Sequence, residues 1–334
     1  MQVLVTGGAG YIGSQTAKAL AKTGHEVLVL DDLSGGHRWA VKWGQLLEGD
    51  ILNSDFLRRL FQQSRIEAVI HFAGVIQVGE SVKNPSKYFQ INTLGTLKLL
   101  DAMVQQGVKH MVFSSSAAIY GTPQRIPIPE DHPASPVSPY GESKLFVERI
   151  LRWYGHAYGI RWAALRYFNA SGADPDGEIG EDHKPESHLI PLVIKAALGQ
   201  IPQIEIYGTD YPTPDGTAIR DYIHVSDLAE GHGRALHHLV EGGESCALNL
   251  GTGRGHSVRE VIHAVNRCAA QQSRGARSAP FREAPRRAGD PPSLVADPSR
   301  AQKVLKWAPQ HSSLEEIVTS AWAWHSSQGG GEAP

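Results

Sequence analysis

The 334-residue chain holds only two cysteines, Cys246 and Cys268. Two thiols cannot build a disulfide framework or a four-ligand zinc set, and they fit a reducing compartment. An excess of either charge is also missing: 32 Lys and Arg stand against 34 Asp and Glu, a formal net charge of −2. Such a chain has no basic surplus with which to neutralise a phosphate backbone, so nucleic-acid binding is not expected. No apolar run approaches the ~20 residues that cross a bilayer, so no membrane partner is expected either. Met1-Gln2-Val3-Leu4-Val5 reads at once as a strand, with no basic segment or cleavage site before it. No signal peptide is therefore expected, and the expected location is cytoplasmic. Of the 16 histidines, His232, His237 and His238 cluster, but no HExxH or paired metal spacing appears. These three are expected in solvated or capping roles, and no metal site is expected.

Apolar residues make up 41% of the chain and charged residues 20%, enough for a sizeable core. At ~100–200 residues per domain, the length suggests two domains, or one with a lobe. The 35 glycines exceed the ~7% of average usage. Four of them fall in Thr6-Gly7-Gly8-Ala9-Gly10-Tyr11-Ile12-Gly13, directly after the first strand.

The first half alternates strands and helices. Strands are predicted at 3–5, 26–30, 45–48, 68–72, 111–115 and 161–165. Helices are predicted at 14–23, 55–63, 88–106 and 139–154, with Gly24 and Gly107 as helix ends and Ser138 as an N-cap. This alternation predicts an α/β fold, a Rossmann-like doubly wound parallel sheet. After about residue 170 the pattern breaks. Residues 174–187 read as a polar loop, 188–198 as a helix, and 199–216 as a Pro/Gly-rich stretch. Then come a helix at 227–240, a strand at 247–250, a helix at 258–270 and a loop with short strand pieces at 271–293. The predicted organisation is a dinucleotide-binding domain at 1–170, to which the chain returns near 222–250. A smaller α/β lobe follows at 171–326, placed where open α/β sheets bind ligands, with a disordered tail at 327–334.

Gly8-x-Gly10-x-x-Gly13 fits the dinucleotide fingerprint. Glycines there allow a tight turn, close approach of a pyrophosphate, and close packing of helix on strand. The helix N-terminus offers free N–H groups and a positive dipole end to the phosphates. Asp31 ends the next strand, 18 residues past Gly13. Its carboxylate can accept both adenine-ribose hydroxyls and would repel a 2′-phosphate, which favours NAD over NADP.

Tyr140 and Lys144 stand at i and i+4 of a predicted helix, on one face. A free phenol, with a pKa near ~10, is a poor base at neutral pH. A nearby ammonium and a positive nicotinamide ring favour the phenolate. Lowering the pKa by ~3 units takes roughly 4 kcal/mol of differential stabilisation. Ser116 ends a strand 24 residues upstream and could share a proton with the substrate oxygen.

Thr6-Gly-x-x-Gly-x-x-Gly13, Ser116 and Tyr140-x-x-x-Lys144 together resemble the extended short-chain dehydrogenase/reductase superfamily. Within it, the chain is similar to the UDP-glucose (UDP-galactose) 4-epimerases. The similarity is carried by Phe72-Ala-Gly74, Gly79-Glu-Ser81, Phe113-Ser-Ser-Ser-Ala117, Ser138-Pro-Tyr-Gly141, Leu165-Arg-Tyr-Phe-Asn169 and Gly180-Glu-Asp182. Tyr207-Gly-Thr-Asp-Tyr-Pro-Thr213, Arg220-Asp-Tyr-Ile-His-Val225, Asn249-Leu-Gly251 and Arg286-Arg-Ala-Gly-Asp290 add to it and are the more specific segments. The resemblance runs from Met1 to about Trp324. It implies an isomerase that interconverts UDP-galactose and UDP-glucose through a 4-keto sugar, using tightly bound NAD, and a homodimer paired through helices near 88–106 and 139–154.

The resemblance also implies residue roles. Tyr140, Lys144 and Ser116 would be catalytic. Gly7, Gly10, Tyr11, Ile12, Gly13, Asp31, Asp50, Ile51, Phe72, Ala73, Gly74, Asn92, Ser114 and Tyr167 would join Tyr140 and Lys144 around the cofactor. Asn169, His188, Leu189, Tyr207, Arg220, Arg287, Asp290 and Leu294, with Ser116 and Tyr140, would face the UDP-sugar. Two arginines can clamp a diphosphate. Three departures stand out. Ile76 replaces a lysine that reaches the cofactor phosphates in some relatives, Ala118 replaces a threonine, and His188 replaces an asparagine. At position 294 a bulky Tyr restricts N-acetyl sugars in the family, so Leu294 implies some turnover of UDP-GlcNAc and UDP-GalNAc. Another NAD-dependent nucleotide-sugar epimerase, decarboxylase or dehydratase is the nearest alternative. A dehydratase would place an Asp-Glu pair after the Ser-ended strand, where this chain has Ala117-Ala118-Ile119. A non-catalytic NAD-binding protein would have no need of Ser116, Tyr140 and Lys144.

Overall fold

The computed structural model describes residues 1–272, 277–287 and 289–328. Its strands are β1 (Gln2–Thr6), β2 (Glu26–Asp31), β3 (Gln45–Glu48), β4 (Ile66–His71), β5 (His110–Ser116), β6 (Arg161–Tyr167), β7 (Asn169–Ser171) and β8 (Ile204–Tyr207). They continue with β9 (Ile219–His224), β10 (Cys246–Leu250), β11 (Gly255–Ser257), β12 (Phe281–Ala284) and β13 (Ser293–Leu294). The helices are α1 (Tyr11–Lys22), α2 (Ser54–Gln63), α3 (Val78–Lys83), α4 (Pro85–Tyr88), α5 (Thr96–Gln105) and α6 (Pro139–Tyr158). Then follow α7 (Leu189–Ala197), α8 (Val225–Val240), α9 (Val258–Gln272), α10 (Ser299–Leu305) and α11 (Leu314–Gln328).

Seven strands pair in the order β10-β6-β5-β4-β1-β2-β3, and every pairing is parallel. The α/β class and doubly wound parallel sheet expected from the sequence are both present. Strands such as β1 are buried on both faces because helices cover both sides. On one face Ala17 and Leu20 of α1 and Leu228, Leu236 and Leu239 of α8 pack on the sheet. On the other, Leu57 and Phe61 of α2, Leu99 and Met103 of α5, and Val147 and Leu151 of α6 do so. The strand order reverses at β1, which lies between β2 and β4, so the crevice for a ligand opens at the C-terminal end of β1.

After β6 the chain leaves this sheet and re-enters it with β10, which pairs with β6. The intervening and following residues build a lobe with its own core from α7, α9 and α11. β9 is the hub of a small sheet that pairs with β7, β11 and β13, and β8 pairs with β12.

Several expectations need correction. The continuous helix expected at 88–106 is broken: α4 passes into a π-helical segment at Phe89–Gly95 before α5. That wide turn carries Asn92, whose side chain is held by the loop after β4. The Pro/Gly-rich stretch contains β8, and β9 went unread because Arg220 and Asp221 interrupt its apolar pattern. Ser327 and Gln328, expected in a disordered tail, end α11, and 329–334 lie outside the described residues. His232 is not solvated: it is fully buried, and its Nδ1 lies 2.8 Å from the Leu228 carbonyl.

Candidate active site

The turn after β1 needs glycine for separate reasons at successive positions. Gly7 adopts φ +71°, and a Cβ there would sit 2.5 Å from the Ala73 amide nitrogen. At Gly13 a Cβ would lie 2.2 Å from the Gly7 carbonyl oxygen, so only glycine lets α1 start this close to β1. Gly10 is the N-cap of α1 and supplies no side-chain cap, and the first turn carries no acidic residue. The positive end of α1 is therefore left for an anion. Tyr11 donates to the Gly172 carbonyl at 2.5 Å, which fastens the turn to the segment after β7, while Ile12 packs on the core.

Asp31 closes the cradle from β2. Its Oδ2 accepts from Ala9 N and its Oδ1 from Leu33 N, both at 2.9 Å. Each oxygen keeps a second lone pair for a hydroxyl. Burial raises the Asp31 pKa, and the two backbone N–H groups oppose that rise. The cradle, the free helix end and this carboxylate fit a dinucleotide. Ile51 is buried and Asp50 exposed, with Asp50 Oδ1 accepting from Leu52 N at 2.7 Å. The Phe72 and Ala73 amides both donate to the Thr6 carbonyl, which sets this loop beside the glycine turn. A Cβ on Gly74 would lie 2.8 Å from Asn92 Oδ1. Asn92 spends its amide on this loop: Oδ1 accepts from Val75 N, and Nδ2 donates to Val75 O and Ser143 Oγ.

The Ser, Tyr and Lys side chains come together at the end of β5 and the start of α6. Ser138 caps α6 by accepting from Gly141 N, which places Tyr140 in the first turn and Lys144 one turn later. Lys144 is buried, donates to the Ser114 carbonyl at 2.9 Å, and lies 5.8 Å from the centre of the Tyr140 ring. Burial pushes the Lys144 pKa down to about 8. Burial also raises the Tyr140 pKa, and the nearby Ser116 hydroxyl pulls it the other way. Ser116 Oγ also accepts from Ala118 N at 3.2 Å. Tyr167, at the end of β6, shares a short hydrogen bond with Ser114.

Sequence reasoning passed over His71. It is buried between Thr6 and Thr96, with Nδ1 2.6 Å from Thr6 Oγ1 and Nε2 2.8 Å from Thr96 Oγ1. Thr96 donates its own proton to the Asn92 carbonyl, so it accepts from His71 Nε2–H, and Thr6 donates to Nδ1. Burial first, and the charge of Lys144 second, hold His71 neutral, with its pKa at about 3. A polar residue closing the apolar run Ala68-Val69-Ile70 was the signal available for it.

The lobe supplies a second group of side chains. Register places Leu294 of β13 and His256 of β11 on either side of Arg220 in β9. Arg220 pairs with Asp290 at 2.5 Å. Asn169 donates to the Asp221 carbonyl at 3.0 Å and pairs in register with Tyr222. The Arg287 guanidinium lies 3.9 Å from the centre of the Tyr207 ring, because β12 pairs with β8 along Tyr207. Leu294 packs against the cluster of Ala117, Ile119, Tyr120, Ile128 and Leu145 that follows Ser116. Leu189 opens α7 and packs on the lobe core. His188 is its N-cap position, but the imidazole is turned onto Glu181. Burial works against its charge, yet Glu181 raises its pKa to about 9.

A family model described as the NAD dependent epimerase/dehydratase family matches residues 3–251. The chain belongs to this family. Over 325 residues it is 50% identical to a UDP-glucose 4-epimerase of Halalkalibacterium halodurans, covering 97% of this chain and 96% of that one. A solved UDP-glucose 4-epimerase of Brucella ovis in complex with NAD superposes with a TM-score of 0.93 at 50% identity, covering 96% of this chain and 97% of that one. The enzyme of Bifidobacterium longum, in complex with NAD+ and UDP, gives a TM-score of 0.92 at 39% identity over 98% and 99% of the two chains. Among the described residues of this epimerase/dehydratase family member, no helix is long and apolar enough to cross a membrane.

Proposed function

We infer that the chain catalyses the reversible C4 epimerisation of UDP-galactose and UDP-glucose with bound NAD. The observation that carries this is the placing of Tyr140, Ser116 and buried Lys144 at the C-terminal end of β5 and the start of α6, on the sheet that also presents the dinucleotide cradle. Its similarity to UDP-glucose 4-epimerases along nearly the whole chain supports the same reading.

When bound, NAD supplies a reversible hydride acceptor for C4 of the sugar. Tyr140 takes the proton of the 4-hydroxyl, and the Ser116 hydroxyl shares it. In the protein alone burial disfavours both the phenolate and the ammonium. A bound, positively charged nicotinamide ring would tilt this balance toward the phenolate. Arg220 and Arg287 hold the diphosphate while the 4-keto sugar turns, so that the return reaches its other face. Lys144 also orients the ribose of the cofactor. Leu294 leaves room beside the sugar for an N-acetyl group, so UDP-GlcNAc and UDP-GalNAc are additional substrates. The place of action is the cytoplasm, in galactose metabolism. The exposed Leu94, Phe146 and Trp153 lie on the π-helical segment and α6, and they support a homodimer through this face.

The test is incubation of the purified protein with UDP-galactose, without added NAD, coupling any UDP-glucose to a UDP-glucose dehydrogenase. Product is expected. Its absence, even after NAD is supplied, would refute the reading.

A further inference from the structure

Between β7 and α7 the chain gathers Glu181, His183, Glu186 and His188, each offering one ligand atom, all within 4.8 Å of one another. Both imidazoles turn Nδ1 onto one carboxylate oxygen, Glu181 Oε1, from His183 at 3.0 Å and from His188 in a short contact. Glu186 Oε1 stands 4.0 Å from His183 Nδ1 and 3.9 Å from His188 Nδ1. The Glu181 and Glu186 side chains are each only 3% exposed.

A network held by protons alone leaves this group incompletely satisfied. Glu186 Oε1 accepts from the Ser187 and His188 amides, but its buried Oε2 has no hydrogen-bond partner. An orphaned carboxylate oxygen beside a second carboxylate is costly in a dry site. A nearby acidic trio shows the contrast. Asp174, Asp176 and Glu178 are filled by the Lys18 ammonium, which donates to all three at 2.7 Å. Among the described residues these are the two clusters with metal-like spacing, and no lysine or arginine pairs with either carboxylate of the first.

We propose that Glu181, His183, Glu186 and His188 bind one divalent transition-metal ion, zinc in the first instance. Two imidazoles and two carboxylates suit zinc, whose ligands stand about 2.0–2.2 Å away in a tetrahedron. Such ligands are roughly 3.3–3.6 Å apart, so side-chain shifts on the order of an ångström close the set. The His188 side chain is 45% exposed, which leaves a path for entry. The role is structural. Tyr11 of the dinucleotide turn lies edge-on to His183 at 6.4 Å, and Trp324 of α11 donates to the Glu181 carbonyl. A metal here ties the loop before α7 to both.

The experiment uses the untagged full chain, stripped with a chelator and then titrated with zinc. Metal content, calorimetry and the thermal midpoint are read together with the visible spectrum after cobalt replaces zinc. One zinc per chain, a raised midpoint and the intense visible bands of four-coordinate cobalt are expected. The near-isosteric Glu186→Gln, and separately His183→Ala, should weaken zinc binding by at least about tenfold while circular dichroism stays unchanged. A wild-type chain that takes up no stoichiometric zinc overturns the proposal. So does equal binding by the wild type and a folded Glu186→Gln chain, because the metal would then lie elsewhere.

Discussion

Lys144 Nζ donates to the Ser114 carbonyl at 2.9 Å, so an ammonium from α6 is fixed to the last turn of strand before Ser116. This bond ties together the two elements whose ends carry Tyr140 and Ser116, and it sets the charge one helical turn from the phenol.

Removing the phenol oxygen tests the base directly. Tyr140→Phe should lower the rate of UDP-galactose conversion by about 10²–10⁴-fold, while the NAD content of the purified protein stays unchanged. Full activity in this variant would refute the assignment.

The glycine turn makes a sharper structural demand. In Gly13→Ala the new Cβ would have to occupy a point 2.2 Å from the Gly7 oxygen. The strand and helix must separate, at a cost of about 1–3 kcal/mol. The expected result is a lower thermal midpoint and loss of bound NAD on gel filtration. Gly233→Ala on α8 is the control, since nothing lies within 4 Å of its Cβ position and its backbone is not left-handed.

Lys144 also predicts a pH dependence for the cofactor-stripped protein. Its folded pKa is pushed down to about 8 from the ordinary 10.5. Between those values the unfolded chain holds a proton that the folded chain has released, so stability rises with pH, by up to about 1.4 kcal/mol per unit. Lys144→Met removes this contribution. Denaturant titrations at pH 8 and pH 10 should show the wild type gaining on the variant. A constant gap between the two would contradict it.

Leu294 is the residue we propose to set substrate breadth. Leu294→Tyr should suppress epimerisation of UDP-GlcNAc at least about tenfold and leave UDP-galactose turnover largely intact. Comparing kcat/KM for the two sugars in both proteins measures it.

The sheet and the placing of Ser116, Tyr140 and Lys144 near one another were legible in the sequence because their residues are close together in the chain. The glycine turn is one loop, and Tyr140 and Lys144 share one helical face. What stayed hidden depends on long-range closure. Arg166, read only as part of a motif, makes a buried two-bond pair with Glu148 and also donates to the Tyr120 hydroxyl. Tyr120 in turn donates to Asn249 Oδ1 on β10. Asp221 is likewise spent on the Thr252, Gly253 and Ala296 amides. No spacing rule connects residues that far apart. Gly180-Glu-Asp182 was noticed for its resemblance, but the two histidines and Glu186 that converge on Glu181 come from a loop without periodicity.

The return of β10 to the sheet also orders the folding of the chain. β6 meets its outer neighbour only when residues 246–250 exist, about 80 residues after β6 ends. On an emerging polypeptide the cofactor half waits with β6 as a bare apolar edge, open to a strand from another chain. Arg166 and Glu148 lie close to that edge, and their charge pair is shielded only once β10 arrives with Asn249. A fragment ending at residue 170 should therefore aggregate rather than behave as an independent nucleotide-binding unit.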